Sequence, residues 1–402
     1  MKKIVAIRKL PLYEISIWVI LLALLVALFF MTMSAVTQEK WLAIDDYVEY
    51  WAAGKLNITG GNPYNPDELS PLQQEAGRYD GVPVIMYNPP WMLVIAMPFG
   101  AIDYALGRTI WLLLSIALTI ASADLLWSIY GGPANKRWVS WLISLGFVPV
   151  LDCLRVGQTG IFMLFGIVGF LHFQRRRVDW LAGACLALLA IKPHILLLFA
   201  LAVLFWCIKY RRWLLLGSLI IVLAIASLLA WLVNPSVFQQ YLYATIHYPP
   251  EEWATATPAS FLRFFLSADY FWIQFILPVL GIIWAIINWL KYHTNWDWLT
   301  QAPLFILVSV CTSAYGWTYD QPVVLVAILS IASRIFSRSL DRSAWIVIIS
   351  YLVIDAIDLA MRVPQIWLWW LAPILLIWYL IANRIIKVPL TDNSSLSGEP
   401  IT

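Results

Sequence analysis

The sequence predicts an all-α protein that crosses a membrane many times. Hydrophobic residues form 62% of its 402 residues and charged residues only 12%, which is about half the share of a soluble domain. Apolar runs recur from end to end, and the 24 tryptophans and 18 tyrosines suit a chain with many membrane–water interfaces. We therefore expect a polytopic membrane protein with about 12 transmembrane helices.

The apolar runs give the order of the predicted helices. The first is expected at 14–33, behind a basic start that indicates a retained helix rather than a cleaved signal. The other crossings are predicted at 108–130, 138–152, 158–173, 178–191, 194–208, 213–233, 270–290, 302–317, 320–336, 343–359 and 364–382. The segment 88–102 has only about 12 continuous apolar residues, whereas a crossing needs about 20, so we predict that it is re-entrant or interfacial.

Basic residues predict the orientation of the helices. If 88–102 does not cross, both termini are cytoplasmic, the inner segments hold 18 of the 26 basic residues and the outer segments hold 16 of the 23 acids. The positive-inside rule predicts this asymmetry. We expect one integral membrane domain over 1–390 in the plasma membrane, with outer loops at 34–107 and 234–269 and a disordered cytoplasmic tail at 391–402.

The composition also argues against several kinds of site. The four cysteines lie in or beside apolar runs, so neither a disulfide framework nor a zinc site is expected. The chain has no Gly-rich phosphate loop of Walker type, and its inner loops are short. We expect no metal ion or other cofactor and no nucleic acid partner, and we leave the oligomeric state open. Any chemistry or recognition is assigned to the outer face.

The stretch AIDDYVEYWAAGKL, which follows the first apolar run, contains two adjacent acids. In a helix, Asp46, Glu49 and Tyr50 would share one face. Trp51 and its apolar neighbours would then face the membrane, as in a helix that lies in the interface. The simpler alternative is that Asp45 or Asp46 caps the helix, since acids are favoured in a first turn. Both alternatives stay open on these residues alone.

Loop residues supply further polar candidates. GGNPYNP forms a tight turn that would present Tyr64, beside Asn62, near the aqueous edge. MYNPP adds Tyr87, and the second outer loop adds His247. The alternative for these loop residues is ordinary loop punctuation.

A helix junction at LDCLRVGQTGI carries Asp152, Arg155 and Gln158 on the predicted outer side. Its glycines would allow a backbone or a ligand to approach closely. The alternative is an ion pair between Asp152 and Arg155 that closes a helix hairpin.

A second junction, LAIKPHILL, places Lys192 and His194 on either side of Pro193. The flanking apolar segments have only about 14–15 residues, so their junction would lie in a water-filled pocket below the outer surface. A lysine there is costly unless an anion pairs with it. The alternative is a snorkelling lysine at a helix end. Asp320, in YGWTYDQP, is interpreted as a structural helix start.

Together these groups predict a cationic pocket at bilayer depth beside an exposed carboxylate. The cations would hold a lipid phosphate, and the carboxylate would act as general base on an incoming hydroxyl. A transporter or lipid flippase is the main alternative. It is disfavoured because the polar groups crowd the outer side and no inverted repeat is evident. A glycan polymerase or ligase with diphosphate-linked donors is a second alternative.

Several pieces of the sequence occur in an order that is typical of one enzyme family. They are DYVEYWAAGKL, GGNPYNP, YNPPWMLVIAMPFGAI, RTIWLLLSIAL, RVGQTGIFMLFGIVGF, LAGACLALLAIKPHILLL and YRRWLLLG, within residues 14–235. In this ordered set the chain resembles the GT-C glycosyltransferases, and most closely glycosyltransferase family 87. The resemblance implies transfer, with inversion, of mannose or a similar sugar from a polyprenyl-phosphate donor to a membrane-attached acceptor, expected to be a glycolipid, at the outer face.

The resemblance also implies catalytic and acceptor-binding roles. Asp46 fits the family's essential aspartate, because Tyr47 and Tyr50 follow it at the expected places. The candidates for contact with the acceptor or the sugar are Asp45, Glu49, Tyr50, Asn62, Tyr64, Tyr87 and His247. One departure concerns the second outer loop, where the family commonly has a polar Asn/Gln-Ser stretch and this chain has only ATATPASFLRF, at 254–264.

The donor phosphate is assigned to the two junctions by the same resemblance. The family's Gly-Gln motif carries over to Gly157 and Gln158, and its Lys-Pro motif to Lys192 and Pro193. The predicted phosphate-binding residues are Arg155, Gln158, Lys192 and His194.

Overall fold

The computed structural model describes residues 44, 46–79, 81–250 and 252–386. Within these ranges the chain forms α-helices and short 3-10 helices and no β-strand, as the sequence predicts. The predicted first crossing at 14–33, Asp45 and the C-terminal tail lie outside the described residues.

Seventeen α-helices are described, and we number them in chain order. They are α1 (Asp46–Thr59), α2 (Pro66–Glu75), α3 (Leu93–Gly100), α4 (Tyr104–Ile129), α5 (Arg137–Gly146), α6 (Val148–Val156), α7 (Gly160–Arg175), α8 (Asp179–Leu186), α9 (Leu197–Lys209), α10 (Trp213–Val233), α11 (Val237–His247), α12 (Pro258–Leu266), α13 (Ile276–Tyr292), α14 (Trp298–Thr312), α15 (Leu325–Phe336), α16 (Arg342–Ala360) and α17 (Leu371–Ile385). The 3-10 helices are Pro90–Met92, Ala134–Lys136, Ala187–Ile191, Phe271–Phe275, His293–Asn295, Thr318–Val324 and Gln365–Leu368.

Six described helical stretches are long and apolar enough to cross a membrane, which supports a membrane-embedded protein. They are Tyr104–Ile129, Trp213–Val233, Phe271–Asn295, Thr318–Phe336, Arg342–Ala360 and Gln365–Ile385. The pair α5 and α6 would add a seventh, broken span bent by 60°. Every apolar run predicted from 108 onward is helical, but four of them form helices of only 10–17 residues. The count of about 12 crossings therefore stays a prediction.

Direct contacts show that the helices run between two ends of the bundle. At one end, Arg175 in the last turn of α7 donates to the carbonyl of Ile129 (2.6 Å), where α4 ends, and Lys136 donates to that of Phe336 (3.1 Å), where α15 ends. We call this the basic end and define it by Lys136, Arg137, Arg175, Arg177, Arg212 and Arg334. We call the opposite end the cavity end and define it by Asp46, Arg155, Gln158, Lys192 and Asp320.

The segment 88–102 begins and ends at the cavity end. Asn88 Nδ2 donates to the carbonyl of Ile191 (2.9 Å) at its start, and Trp51 Nε1 donates to the carbonyl of Ile102 (3.0 Å) at its end. Between these points lie one 3-10 turn and the eight residues of α3. The segment therefore does not traverse the bundle, and its placement in a membrane stays a prediction.

Helix α1 is buried inside the protein, so the prediction that one side of it faces the membrane is wrong. Tyr47, Tyr50 and Ala52 are fully buried, and Trp51 is 2% exposed. The physical reason is that α3 packs against α1 backbone to backbone, since a methyl group on Gly54 would overlap the Ala96 carbonyl. The small residues of α1 therefore serve helix packing rather than contact with lipid.

Candidate active site

One cavity of ≈ 970 Å³ at the cavity end collects most of the predicted site residues. Its walls come from α1, the loop before α3, the C-terminal end of α6, the turn after Ile191, α11 and the segment before Thr318. The predicted site residues that line it are Asp46, Glu49, Tyr87, Arg155, Gln158, Lys192 and His194. The fold thus brings together side chains from four separate parts of the sequence.

Gln158 is the centre of a hydrogen-bond network in the cavity wall. Its Oε1 accepts from Tyr50 OH (2.7 Å), from Lys192 Nζ (2.9 Å) and from the backbone N–H of Thr159 (3.2 Å). Tyr50, a predicted sugar-binding residue, does not line the cavity and instead fixes the amide of Gln158 from α1. The network therefore links the helix that carries Asp46 to the two junctions assigned to the phosphate.

The backbone that presents Gln158 depends on Gly157 and on a buried arginine. Gly157 ends α6 with φ +83°, and a Cβ at this position would lie 2.6 Å from the Cβ of Tyr47. Arg108 is 1% exposed, and its Nη2 donates to the carbonyls of Leu154 and Arg155, both at 2.8 Å. A cation at the carbonyl end of a helix is stabilising. Arg108 is not among the predicted site residues, although it opens the piece RTIWLLLSIAL that resembles the family.

Lys192 forms a buried ion pair with Asp320. The Nζ and Oδ1 atoms are 2.7 Å apart, and the side chains are only 11% and 1% exposed. The snorkelling alternative is therefore wrong. Asp320 also accepts a hydrogen bond from the backbone N–H of Trp317 (3.0 Å), so it does start a helix, as predicted, but it is in addition the partner of the lysine. Burial works to lower the pKa of Lys192, but Asp320 raises it above its ordinary value, so the ammonium group stays charged.

Arg155 and His194 differ from each other in charge. His194, in the turn after Lys192, has its side chain exposed to the cavity. Desolvation by the surrounding protein lowers the pKa of His194 to about 4, so its imidazole is neutral at pH 7. The alternative for this junction, an ion pair between Asp152 and Arg155, is absent among the described residues. Asp152 instead accepts a hydrogen bond from Thr318 Oγ1 (2.8 Å). Arg155 is exposed and is the cavity's cation without an ion-pair partner in the described part of the chain.

The remaining predicted residues have other surroundings. Tyr64 was expected near the aqueous edge, but it is 1% exposed, and its hydroxyl donates to the carbonyl of Asn88 (3.3 Å). Asn62 accepts from the backbone N–H of Tyr64 (3.0 Å) and so shapes the turn. His247 is exposed and stacks on Tyr243, with ring centroids 3.8 Å apart. Asn62, Tyr64 and His247 do not line the cavity.

Tyr87 and the second outer loop form part of the cavity's rim. The hydroxyl of Tyr87 donates to the carbonyl of Tyr248 (2.8 Å), and burial raises the pKa of Tyr87 to about 12, so it is neutral. Its ring makes an edge contact with Trp253, at 4.9 Å between centroids. In the stretch 254–264, where the sequence departs from the family's Asn/Gln-Ser pattern, Thr257 caps α12 by accepting a hydrogen bond from Ser260 N (3.1 Å). This stretch positions the loop behind Trp253.

Comparison with known proteins assigns the sequence to a family. The sequence matches glycosyltransferase family 87 over residues 86–327. No curated protein and no solved structure matches the chain. The matched range includes Gln158, Lys192 and Asp320, whereas Asp46 precedes it. Because the match covers more than half of the 402 residues, the chain belongs to glycosyltransferase family 87.

Proposed function

We propose that this glycosyltransferase transfers a sugar from a polyprenyl-phosphate donor to a membrane-attached acceptor, with Asp46 as general base. One observation carries the proposal. Asp46 and Arg155 line the same cavity, whose volume of ≈ 970 Å³ is at the upper end of the range for ligand sites. Asp46 is only 8% exposed, so the predicted exposed carboxylate is instead largely buried in the cavity wall. The family match favours this reaction over the transporter or flippase alternative.

In the proposed reaction, Asp46 accepts the proton of an acceptor hydroxyl group. The acceptor oxygen forms a bond to the anomeric carbon from the face opposite the phosphate. The bond from that carbon to the phosphate oxygen breaks, and the polyprenyl phosphate leaves with the electron pair. The configuration at the anomeric carbon is thereby inverted.

The leaving phosphate is assigned mainly to Arg155. Its guanidinium group can hold a phosphate through two parallel hydrogen bonds. The charge of Lys192 is compensated by Asp320, and Gln158 and Asp320 use two of its three N–H donors among the described residues. The third donor is available to the phosphate. His194 is neutral and can contribute a hydrogen bond but no charge.

The charge distribution supports placing the reaction at the outer face of the plasma membrane. The basic end, with Lys136, Arg175 and Arg212, lies opposite the cavity end. The positive-inside rule assigns such an end to the cytoplasm. We expect mannose or a similar sugar as the donor sugar, a glycolipid as acceptor, and no metal ion, because a monophosphate leaving group can be neutralised by fixed cations.

The proposal is tested by a transfer assay in membranes with a panel of radiolabelled polyprenyl-phosphate sugars. Wild type is expected to label a lipid-extractable product from at least one donor. Asp46→Asn should lower the rate by about 10²–10³-fold or more, because general-base catalysis is lost. Asp67→Asn is the control, because Asp67 is an exposed acid outside the cavity.

Two results would contradict the proposal. No incorporation by wild type from any donor would exclude the donor class. Full activity of Asp46→Asn would exclude Asp46 as the base. The thermal unfolding midpoint of each variant shows whether a lost rate comes from a lost fold.

A further inference from the structure

A second cavity of ≈ 310 Å³ lies at the basic end. It is formed where α7 and α9 end and where α10 and α14 begin. Arginines and tryptophans dominate its walls, and they are Arg175, Arg177, Arg212, Trp206, Trp296 and Trp298. None of these residues takes part in the reaction proposed above.

The arginines of this second cavity differ in whether a neighbouring group already pairs with the guanidinium. Arg212 pairs with Asp179 (3.2 Å), and its guanidinium lies over the ring of Trp206 (5.2 Å). Arg175 Nη1 donates to a backbone carbonyl, that of Ile129. Arg177 is exposed and has no ion-pair partner among the described residues. Its charge is therefore available to a ligand.

The one acid in the cavity wall, Asp297, is occupied. Its carboxylate accepts from the backbone N–H groups of Leu299 (3.2 Å) and Thr300 (3.0 Å) and from the hydroxyl of Thr300 (2.6 Å), as the cap of α14. Three arginines thus face one engaged carboxylate, and the cavity carries a net positive charge. The indole N–H groups of Trp296 and Trp298, which also line it, lack an acceptor in the described part of the chain.

The surroundings of the cavity indicate lipid. Trp180 and Trp213 are 54% and 57% exposed. Trp213 follows Arg212 directly, and Trp180 lies three residues after Arg177. Tryptophan and arginine are typical of the level at which a protein meets lipid headgroups. Helix α10, which begins at Trp213, exposes Leu214 (62%) and Ile220 (64%) along its length. Acyl chains that cover α10 would place their headgroups at this end of the helix.

We propose that this second cavity binds the phosphate group of an anionic membrane lipid, with Arg177 as the main ligand. The guanidinium group matches the geometry of a phosphate. Basic pockets between helices on the cytoplasmic side are suited to anionic headgroups. The site is independent of the proposed transfer reaction, so each can fail without the other.

The chain offers a matched pair of variants for the test. Arg177 and Arg211 are both arginines with positive φ, 58° and 55°, in the turn after a helix, but only Arg177 lines the cavity. Glycine is the residue that this backbone conformation favours. Arg177→Gly and Arg211→Gly therefore each remove one charge from the basic end while relieving backbone strain, so loss of the fold is not expected.

The experiment measures lipid binding by the shift in the thermal unfolding midpoint of the full-length protein. Micelles of neutral detergent with phosphatidylglycerol are compared with micelles that contain phosphatidylcholine. Phosphatidylglycerol should stabilise the wild type and Arg211→Gly. Its apparent affinity for Arg177→Gly should be roughly ten-fold lower, the effect of one lost charged hydrogen bond.

A second arm adds inorganic phosphate to the phosphatidylcholine micelles. Stabilisation by inorganic phosphate that Arg177→Gly abolishes, without any effect of phosphatidylglycerol, would support the phosphate site and make free phosphate its source. Equal responses of the two variants to both ligands would overturn the proposal, because the effect would then belong to the basic surface in general.

Discussion

The cavity end and the basic end hold their charges in different ways. The Lys192–Asp320 pair at the cavity end has side-chain exposures of 11% and 1%, whereas the Arg137–Asp124 pair at the basic end has 47% and 32%. Water solvates an exposed ion that loses its partner, but a buried ion left alone is strongly destabilising. At the cavity end, Lys192 and Asp320 therefore fix each other in place, whereas the ion pair at the basic end lies in reach of water.

The difference between the two ends can be tested by breaking each ion pair in the same way. Asp320→Asn leaves Lys192 buried without a counter-ion and should lower the free energy of unfolding by about 3–5 kcal/mol. Asp124→Asn should cost about 1 kcal/mol or less. Unfolding midpoints in one detergent give both values. Similar losses of unfolding free energy in the two variants would show that burial does not make the Lys192–Asp320 pair more important for stability than the Arg137–Asp124 pair.

A double variant then separates stability from transfer. Lys192→Met combined with Asp320→Leu removes both ions, so much of the lost stability should return. Sugar transfer should stay low, because the ammonium donor to the phosphate is gone. Recovery of transfer along with stability would mean that the pair serves the fold alone.

The apolar runs of the sequence predict where most of the described helices lie, and its motifs predict seven of the residues that line the cavity. Neither predicts the contacts that fix these residues. Hydropathy predicts helices because apolar runs must be buried or face lipid. The described helices overlap these runs, but some boundaries shift, as from 302–317 to Trp298–Thr312. The Lys192–Asp320 contact joins residues 128 positions apart, which a local pattern does not reveal. The burial of α1 was missed because its apolar side chains were assigned to lipid. Its small residues, such as Gly54, were the signal for a packed helix.

Histidine at the cavity end provides a test by pH. The unfolded chain binds a proton at His194 below its ordinary pKa of 6.5, but the folded protein does so only below about 4. Acidification through this window therefore favours the unfolded state, so stability should fall as the pH drops from about 6.5 towards 4. Because the side chain of His194 is exposed to the cavity, water reduces the size of this effect. The measurement is the unfolding midpoint at several pH values between 7 and 4.

The control for the pH experiment is a second histidine. His194→Gln should flatten the acid branch of the stability profile, because the group that takes up the extra proton in the unfolded chain is gone. His247→Gln, which removes a histidine outside the cavity, is the matched control variant. An unchanged profile in His194→Gln would contradict the inference that folding lowers the pKa of His194.

The smallest expected effects come from replacing two glycines by alanine. Gly157 lies at the cavity end, and Gly217 lies on the apolar surface of α10. Alanine at Gly157 would combine a left-handed φ of +83° with a Cβ only 2.6 Å from that of Tyr47, so we expect a loss of about 1–3 kcal/mol. At Gly217, inside α10, a Cβ meets nothing within 4 Å. Alanine there should stabilise the helix by roughly 0.5–1 kcal/mol.

The two glycine variants should also differ in their rate of sugar transfer. Displacement of the backbone at 157 would move the amide of Gln158, to which Tyr50 and Lys192 donate. Gly157→Ala should therefore lower the transfer rate at temperatures where it is still folded, while Gly217→Ala keeps the wild-type rate. A Gly157→Ala protein that is destabilised but fully active would show that the position of Gln158 does not limit the reaction, and the hydrogen-bond network would then be a structural support alone.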